Sequence, residues 1–260
     1  MFPKLISIGT FFLPTYGVLV AVAFLVALFV ATRLGKQAGL EQERISNLGI
    51  YCALMGLLGA KVFMILFDWR HYMSDPADIF SLSTLQAAGV FHGGLIAAVV
   101  FAYLYTRKFK MPWLTTADVF APAIAVGHAI GRLGCLMAGC CYGQVCDRPW
   151  AITFTNPEAS RMSNTPLFQP LHPTQLYESF AELLIFGFLW MRIGKPHRSG
   201  EIIGLYLVIS SVFRFAIEFY RFHEQDLWQG LSLTQWISIA LFLLGGAILT
   251  SRRREVQATA

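Results

Sequence analysis

The sequence has 260 residues, of which 56% are hydrophobic and only 13% charged, with a formal net charge of +5. That composition lies outside the range of soluble domains and describes a polytopic membrane protein. Its cations stand in short clusters between apolar runs, as in loops facing anionic lipid, so the bilayer is expected as a partner and nucleic acid is excluded.

A spanning helix needs about 20 predominantly apolar residues. That criterion predicts seven, at about 14–33, 46–66, 87–106, 117–138, 174–193, 201–220 and 232–250. The first apolar run, Tyr16 to Thr32, is too long for a signal h-region and predicts a retained helix. No internal repeat or low-complexity linker divides the chain, so residues 1–260 read as a single polytopic membrane domain. The fold class expected is an all-α integral membrane protein with seven transmembrane helices.

Orientation follows from the basic residues. The first, third and fifth loops and the C-terminal tail hold Arg33, Lys36 and Arg44; Arg107, Lys108 and Lys110; Arg192, Lys195 and Arg198; and Arg252, Arg253 and Arg254. The N-terminus and the other loops hold only Lys4, Arg70, Arg148, Arg161 and Arg221. The excess of positive charge inside then puts the N-terminus outside and the C-terminus in the cytoplasm. The loop at about 140–172 falls outside, either as an ordered periplasmic cap or as a plain connector.

With helix direction set, the depth of each intramembrane polar residue follows. Tyr16, His92, Gln175, Glu178 and Gln235 come early in inward-running helices, and Lys61, Arg132, Arg214 and Glu218 come late in outward-running ones. All therefore fall in the outer half of the bilayer. Structural polar residues have no reason to share a leaflet, so one polar cavity opening outward is expected.

The stretch from Gly127 to Gly143, GHAIGRLGCLMAGCCYG, sets His128 and Arg132 four residues apart on one helical face, with Cys135 and Gly139 continuing the stripe. A guanidinium at membrane depth either marks a functional site or is locked to a neighbouring carboxylate. Arg132 and Arg214 suit bidentate recognition of phosphate, and Lys61 adds a point charge. Arg214 and Glu218, four apart, either bind a ligand or neutralise each other.

His92 precedes Gly93 and Gly94, which allow a neighbouring backbone or a ligand to approach. An imidazole suits proton transfer near neutrality; the alternative is a histidine bonded between helices. Pro173 marks a helix start, after which Gln175 and Glu178 share a face and either bind substrate or tether that start. Cys135, Cys140, Cys141 and Cys146 have C-x4-C-C-x4-C spacing, which is not the paired C-x2-C of a zinc or iron–sulfur site, so no metal is expected. An oxidising outer face allows a disulfide using Cys146, with no partner assigned.

These residues resemble the prolipoprotein diacylglyceryl transferase family over nearly the whole chain. The resemblance rests on Tyr16-Gly17, His92-Gly93-Gly94-Leu95, Gly131-Arg132-x-Gly134 running to Gly143, His172-Pro173-x-Gln175-Leu176-Tyr177-Glu178, and Arg214-Phe215-x-x-Glu218-Phe219. Cys135 and Cys140 stand where the family's signature usually has Asn and Glu, and Ser210 where it often has Tyr.

The resemblance implies a bacterial inner-membrane enzyme, working at the outer leaflet, that transfers the diacylglyceryl group of phosphatidylglycerol to the lipobox cysteine behind a prolipoprotein signal peptide. A thioether forms, glycerol phosphate leaves, and no cofactor is needed. Implied catalytic residues are His92, Arg132 and Arg214. Implied substrate-binding residues are Tyr16, Lys61, Gly93, Gly94, Gly143, Gln175, Tyr177, Glu178, Glu218 and Gln235. The rival readings are a paralogue that binds anionic lipid without transferase activity, a membrane redox protein using His92 and His128 as axial haem ligands, and an anion transporter, for which inverted repeats and broken helices are not seen.

Overall fold

The computed structural model describes residues 1–8, 11–80, 84, 89–222 and 228–257, with backbone alone for 7, 8, 11, 80 and 252–257. Each of the seven predicted spans contains a long helix. These are α1 (Thr15–Gln37), α2 (Gln42–Phe67), α4 (Phe91–Lys108), α5 (Trp113–Ala138), α7 (Thr174–Ile193), α8 (Glu201–Glu218) and α9 (Leu233–Gln257). Two short helices, α3 (Trp69–Ser74) and α6 (Pro157–Ser163), lie in connections. Residues 87 and 88, which open the third predicted span, lie outside the described residues.

Among the described residues, four helices are long and apolar enough to cross a membrane: α1, α2, α5 and α9 over Leu233–Ser251. The other three carry His92, Glu178, Arg214 and Glu218, polar groups that interrupt their apolar runs. Large apolar side chains such as Phe29, Leu57, Leu95 and Leu243 point outward from the helices, the distribution expected where lipid replaces water.

The all-α expectation needs one correction. Strand β1 (Lys4–Ile8) pairs antiparallel with β2 (Phe11–Pro14), and Thr15 donates its N–H to the Pro3 carbonyl, so this hairpin runs directly into α1. Ile6 and Ile8 in the first run and Phe11 and Phe12 in the second favour an extended backbone. A second, two-residue ladder joins β3 (Ile152–Thr153) to β4 (Pro170–Leu171). The long connection is thus ordered. Phe154 and Leu171 are buried with Leu136 of α5, and Asn156 caps α6 by accepting from the Glu158 N–H.

The chain divides into two compact units, 32–116 and 1–31 with 117–260. In the first, α2 and α4 pack through glycines. A Cβ on Gly59 would lie 2.8 Å from the Gly93 carbonyl oxygen, and one on Gly94 would lie 2.7 Å from that of Gly56. Small residues one turn apart let the two backbones meet. In the second unit, α8 and α9 meet at Gly204 and Gly245, and Ala121, Ala125, Ile185, Leu189 and Ile202 form a core between α5, α7 and α8. Asp118 of α5 is buried and accepts from the N–H groups of Gly200 and Ile203, at 2.6 and 2.8 Å. It caps α8 from another element, supplying acceptors that the Gly200 N-cap position lacks.

Candidate functional site

Within the second unit, α1, α7 and α9 begin where α5 and α8 end, and the polar residues are found at these ends. Glu178, in the second turn of α7, is 3% exposed. Its Oε2 lies 2.5 Å from Arg132 Nε of α5, and its Oε1 pairs with Arg214 Nη1 of α8. Arg214 also reaches Glu218 through Nη2 at 2.9 Å, one turn along its own helix. Arg221, just past α8, places Nη1 3.7 Å from Glu178 and 3.9 Å from Glu218. Three guanidinium groups therefore surround two buried carboxylates. Each guanidinium fork keeps N–H donors beyond those the carboxylates engage, which suits an anion.

A second layer holds this arrangement. His128, one turn before Arg132, accepts from Arg132 Nε at 3.2 Å on Nε2 and pairs through Nδ1 with Glu182 at 3.1 Å. Ser232 donates its hydroxyl to Glu218 Oε1 at 3.1 Å. Ser232 and Gln235 also close a reciprocal cap on α9. The Ser232 N–H donates to Gln235 Oε1 and the Gln235 N–H to Ser232 Oγ. The Gln235 amide predicted to bind substrate is thereby engaged in the helix start. His128, Glu178, Glu182, Ser210, Phe213 and Arg214 line a small pocket beside the cluster.

The turn after α5 closes the site. Gly139 and Cys141 adopt left-handed backbone conformations, with φ of +84° and +62°. Gln175 donates its amide N–H to the Cys140 carbonyl at 2.7 Å and Thr174 its hydroxyl to the Cys141 carbonyl at 2.8 Å. Gln175 Oε1 is buried and has no hydrogen-bond partner among the described residues, which leaves an acceptor for a ligand. Gly143 is threaded between two segments, where a Cβ would stand 2.6 Å from both His172 Cβ and the Tyr220 carbonyl oxygen. Tyr177 accepts from Trp150 Nε1 at 2.8 Å and bonds His172 Nδ1 at 3.0 Å. Tyr16, at the start of α1, packs on Gly134 of α5.

The predicted residues Arg132, Glu178, Arg214, Glu218 and Gln235 are thus joined by contact or through one intermediate, while Gln175 bonds the turn after α5. Lys61 and His92 belong to the other unit. There Lys61 donates to the Thr84 carbonyl at 2.5 Å, and His92 is an exposed residue opening α4, its ring edge-on to Phe91. Gly93 and Gly94 are contact points between α2 and α4.

Sequence reasoning missed Arg221, counted as a loop cation, and Glu182 and Ser232. The spacing Glu178 to Glu182, one helical turn, was the available signal for Glu182. All five cysteines carry free thiols, so the disulfide that the sequence allows at Cys146 is not formed; that side chain is buried.

The comparisons with known proteins agree with one another. A family model described as prolipoprotein diacylglyceryl transferase matches residues 3–251. A phosphatidylglycerol–prolipoprotein diacylglyceryl transferase of Bordetella avium is 33% identical, over 98% of this chain and 97% of its own length. One of Vibrio cholerae is 33% identical over 94% of this chain and 88% of its own, and one of Clostridium tetani 31% identical over 88% and 89%.

Proposed function

The chain belongs to the prolipoprotein diacylglyceryl transferase family, and we propose that the arginine–carboxylate cluster is where it holds the lipid phosphate. It is a membrane enzyme of lipoprotein maturation that transfers a diacylglyceryl group from phosphatidylglycerol to a prolipoprotein. The observation that carries the assignment of the site is the three guanidiniums of Arg132, Arg214 and Arg221 around Glu178 and Glu218.

Arg132 and Arg214 are held by buried carboxylates before any ligand arrives, so binding costs little reorganisation. Their remaining N–H groups receive the phosphodiester oxygens and stabilise the charge that grows as the glyceryl carbon–oxygen bond breaks. The acceptor sulfur forms the new carbon–sulfur bond as glycerol phosphate leaves with the electron pair. His92 takes the thiol proton, since the thiolate is the nucleophile. Tyr16, Tyr177, Gln175 and Glu178 orient the substrates or the arginines. Gly143 and Glu218 complete the substrate-binding set within this unit. His128 positions rather than transfers protons, because Arg132 and Glu182 already engage both ring nitrogens. The same engagement leaves no nitrogen for a haem iron.

The proposed setting is the bacterial inner membrane, with one polytopic domain, seven crossings, the N-terminus and the site outside, and the C-terminus in the cytoplasm. The distribution of lysine and arginine and the helix in each predicted span support it. The substrates on this reading are phosphatidylglycerol and the lipobox cysteine of a prolipoprotein signal peptide.

The test is transfer to a lipobox peptide by protein reconstituted in phosphatidylglycerol vesicles, with His92→Gln and Arg132→Ala as variants. Wild-type rates in both would overturn the assignment. Complementation of a strain depleted of its own transferase separates this reading from that of a lipid-binding paralogue without activity.

A further inference from the structure

Three thiols converge where the transfer reaction has no use for them. Cys135 ends the buried face of α5, the left-handed turn at Gly139 reverses the chain, and Cys140 and Cys141 follow; their three Sγ atoms lie within 4.8 Å of one another. Among the described residues this is the one group of three or more histidine, cysteine or acidic side chains with a metal-binding geometry. The C-x4-C-C spacing concealed it, because pairing rules assume a ligand pair on one short loop. Here a helix end supplies the first sulfur and the turn that terminates the helix supplies the other two.

We propose that Cys135, Cys140 and Cys141 supply three thiolate ligands to one soft divalent d10 cation, Zn2+ being the biological occupant, with solvent completing the tetrahedron. The proposal goes beyond the transferase reading and does not depend on it. A Zn–S bond of about 2.3 Å places three bound sulfurs roughly 4 Å apart, so small side-chain rotations bring the trio to bonding distance. Thiolate donors select such ions over hard ones.

The surroundings match. Three thiols give up three protons to solvent as three sulfur–metal bonds form, leaving a complex of net charge −1. Arg132 Nη1, 3.9 Å from Cys135 Sγ, is the nearby cation. The backbone carrying the ligands is fixed by the Gln175 and Thr174 bonds to the Cys140 and Cys141 carbonyls, the outer layer a metal site needs. Cys140 and Cys141 are half-buried, which gives the ion a way in.

The test titrates the reduced, detergent-solubilised full-length protein with Cd2+ and follows the ultraviolet thiolate-to-cadmium charge-transfer band, then displaces Cd2+ with Zn2+. One ion per chain is expected, with loss of the band in the Cys135→Ser/Cys140→Ser/Cys141→Ser variant and its retention in Cys52→Ser and Cys146→Ser. Single serine variants within the trio should bind ~100-fold more weakly or worse, beyond what loss of an outer-layer partner costs. A band of equal intensity in the triple variant overturns the proposal. So does its absence from wild-type protein in which all five thiols react with a thiol reagent. Should the triple variant not fold, as judged by gel filtration and thermal unfolding, the single variants decide: unchanged affinity in all three overturns the site.

Discussion

Arg132 Nε stands 2.5 Å from Glu178 Oε2, and Arg214 pairs with the other oxygen of the same carboxylate. One buried side chain thus fixes two cations from different helices. Removing one partner of such a group is more costly than never having had it, because unpaired charge is left at low dielectric. Glu178→Gln should therefore lower stability by about 3–5 kcal/mol, read from thermal unfolding in detergent. The displaced guanidiniums should also cut transfer about 100-fold. Near-wild-type unfolding and activity would show that Arg214–Glu218 and Arg221 hold the cluster unaided.

Arg221 should behave as a binding residue although it lies past the end of α8. Arg221→Ala is expected to raise the KM for phosphatidylglycerol vesicles about tenfold, the worth of one charge-assisted hydrogen bond. Arg221→Lys should recover only part, because an ammonium lacks the planar fork. An unchanged KM in both would confine Arg221 to a structural role.

Helix packing in the 32–116 unit should depend on glycine. Gly94→Val is expected to destabilise it by about 1–3 kcal/mol, since the added Cβ meets the Gly56 carbonyl. Gly187→Ala in α7, where a Cβ meets nothing within 4 Å, should stabilise by up to ~1 kcal/mol. Melting temperatures of the two variants should move in opposite directions.

Asp118→Ala should uncap α8 and cost about 1–2 kcal/mol. Thermal unfolding of the purified variant measures this, and hydrogen exchange should rise first at Gly200 and Ile203, whose N–H groups lose their acceptor.

Two exposed contacts should respond to pH in opposite senses. The Lys4 ammonium, 2.5 Å from Glu158, holds that carboxyl below its ordinary range. The tether it makes between the N-terminal hairpin and α6 should be present above the ordinary carboxylate pKa and be lost as pH falls through the lowered value. The Asp78 carboxylate raises the His71 imidazole, so that contact should be present below the ordinary histidine pKa and be lost as pH rises through the raised one. Protease sensitivity of the N-terminal hairpin against pH, in wild type and Lys4→Ala, checks the first. The histidine ring resonances in wild type and Asp78→Asn check the second.

The helices were legible because length and apolarity are local properties. Each predicted span overlaps a long helix, with ends displaced by a few residues where caps and loops decide. The N-terminal hairpin was not legible, since runs of four or five residues carry too little periodicity to stand out beside the apolar run of α1. Arg132, Glu178 and Arg214 stood out in the sequence because charge inside an apolar run is costly and demands a partner.

The sequence by itself determined that arginines and glutamates stand inside apolar helical runs, where each needs a partner or a ligand. Tertiary structure alone decided the pairings: that Glu178 is the shared hub, that Arg221 joins it from beyond a helix, that Gln235 is engaged in a cap, and that three cysteines meet at one point. The physical reason is that a residue's cost of burial is written in its own chemistry, whereas its partner is set by contacts between segments far apart in the chain.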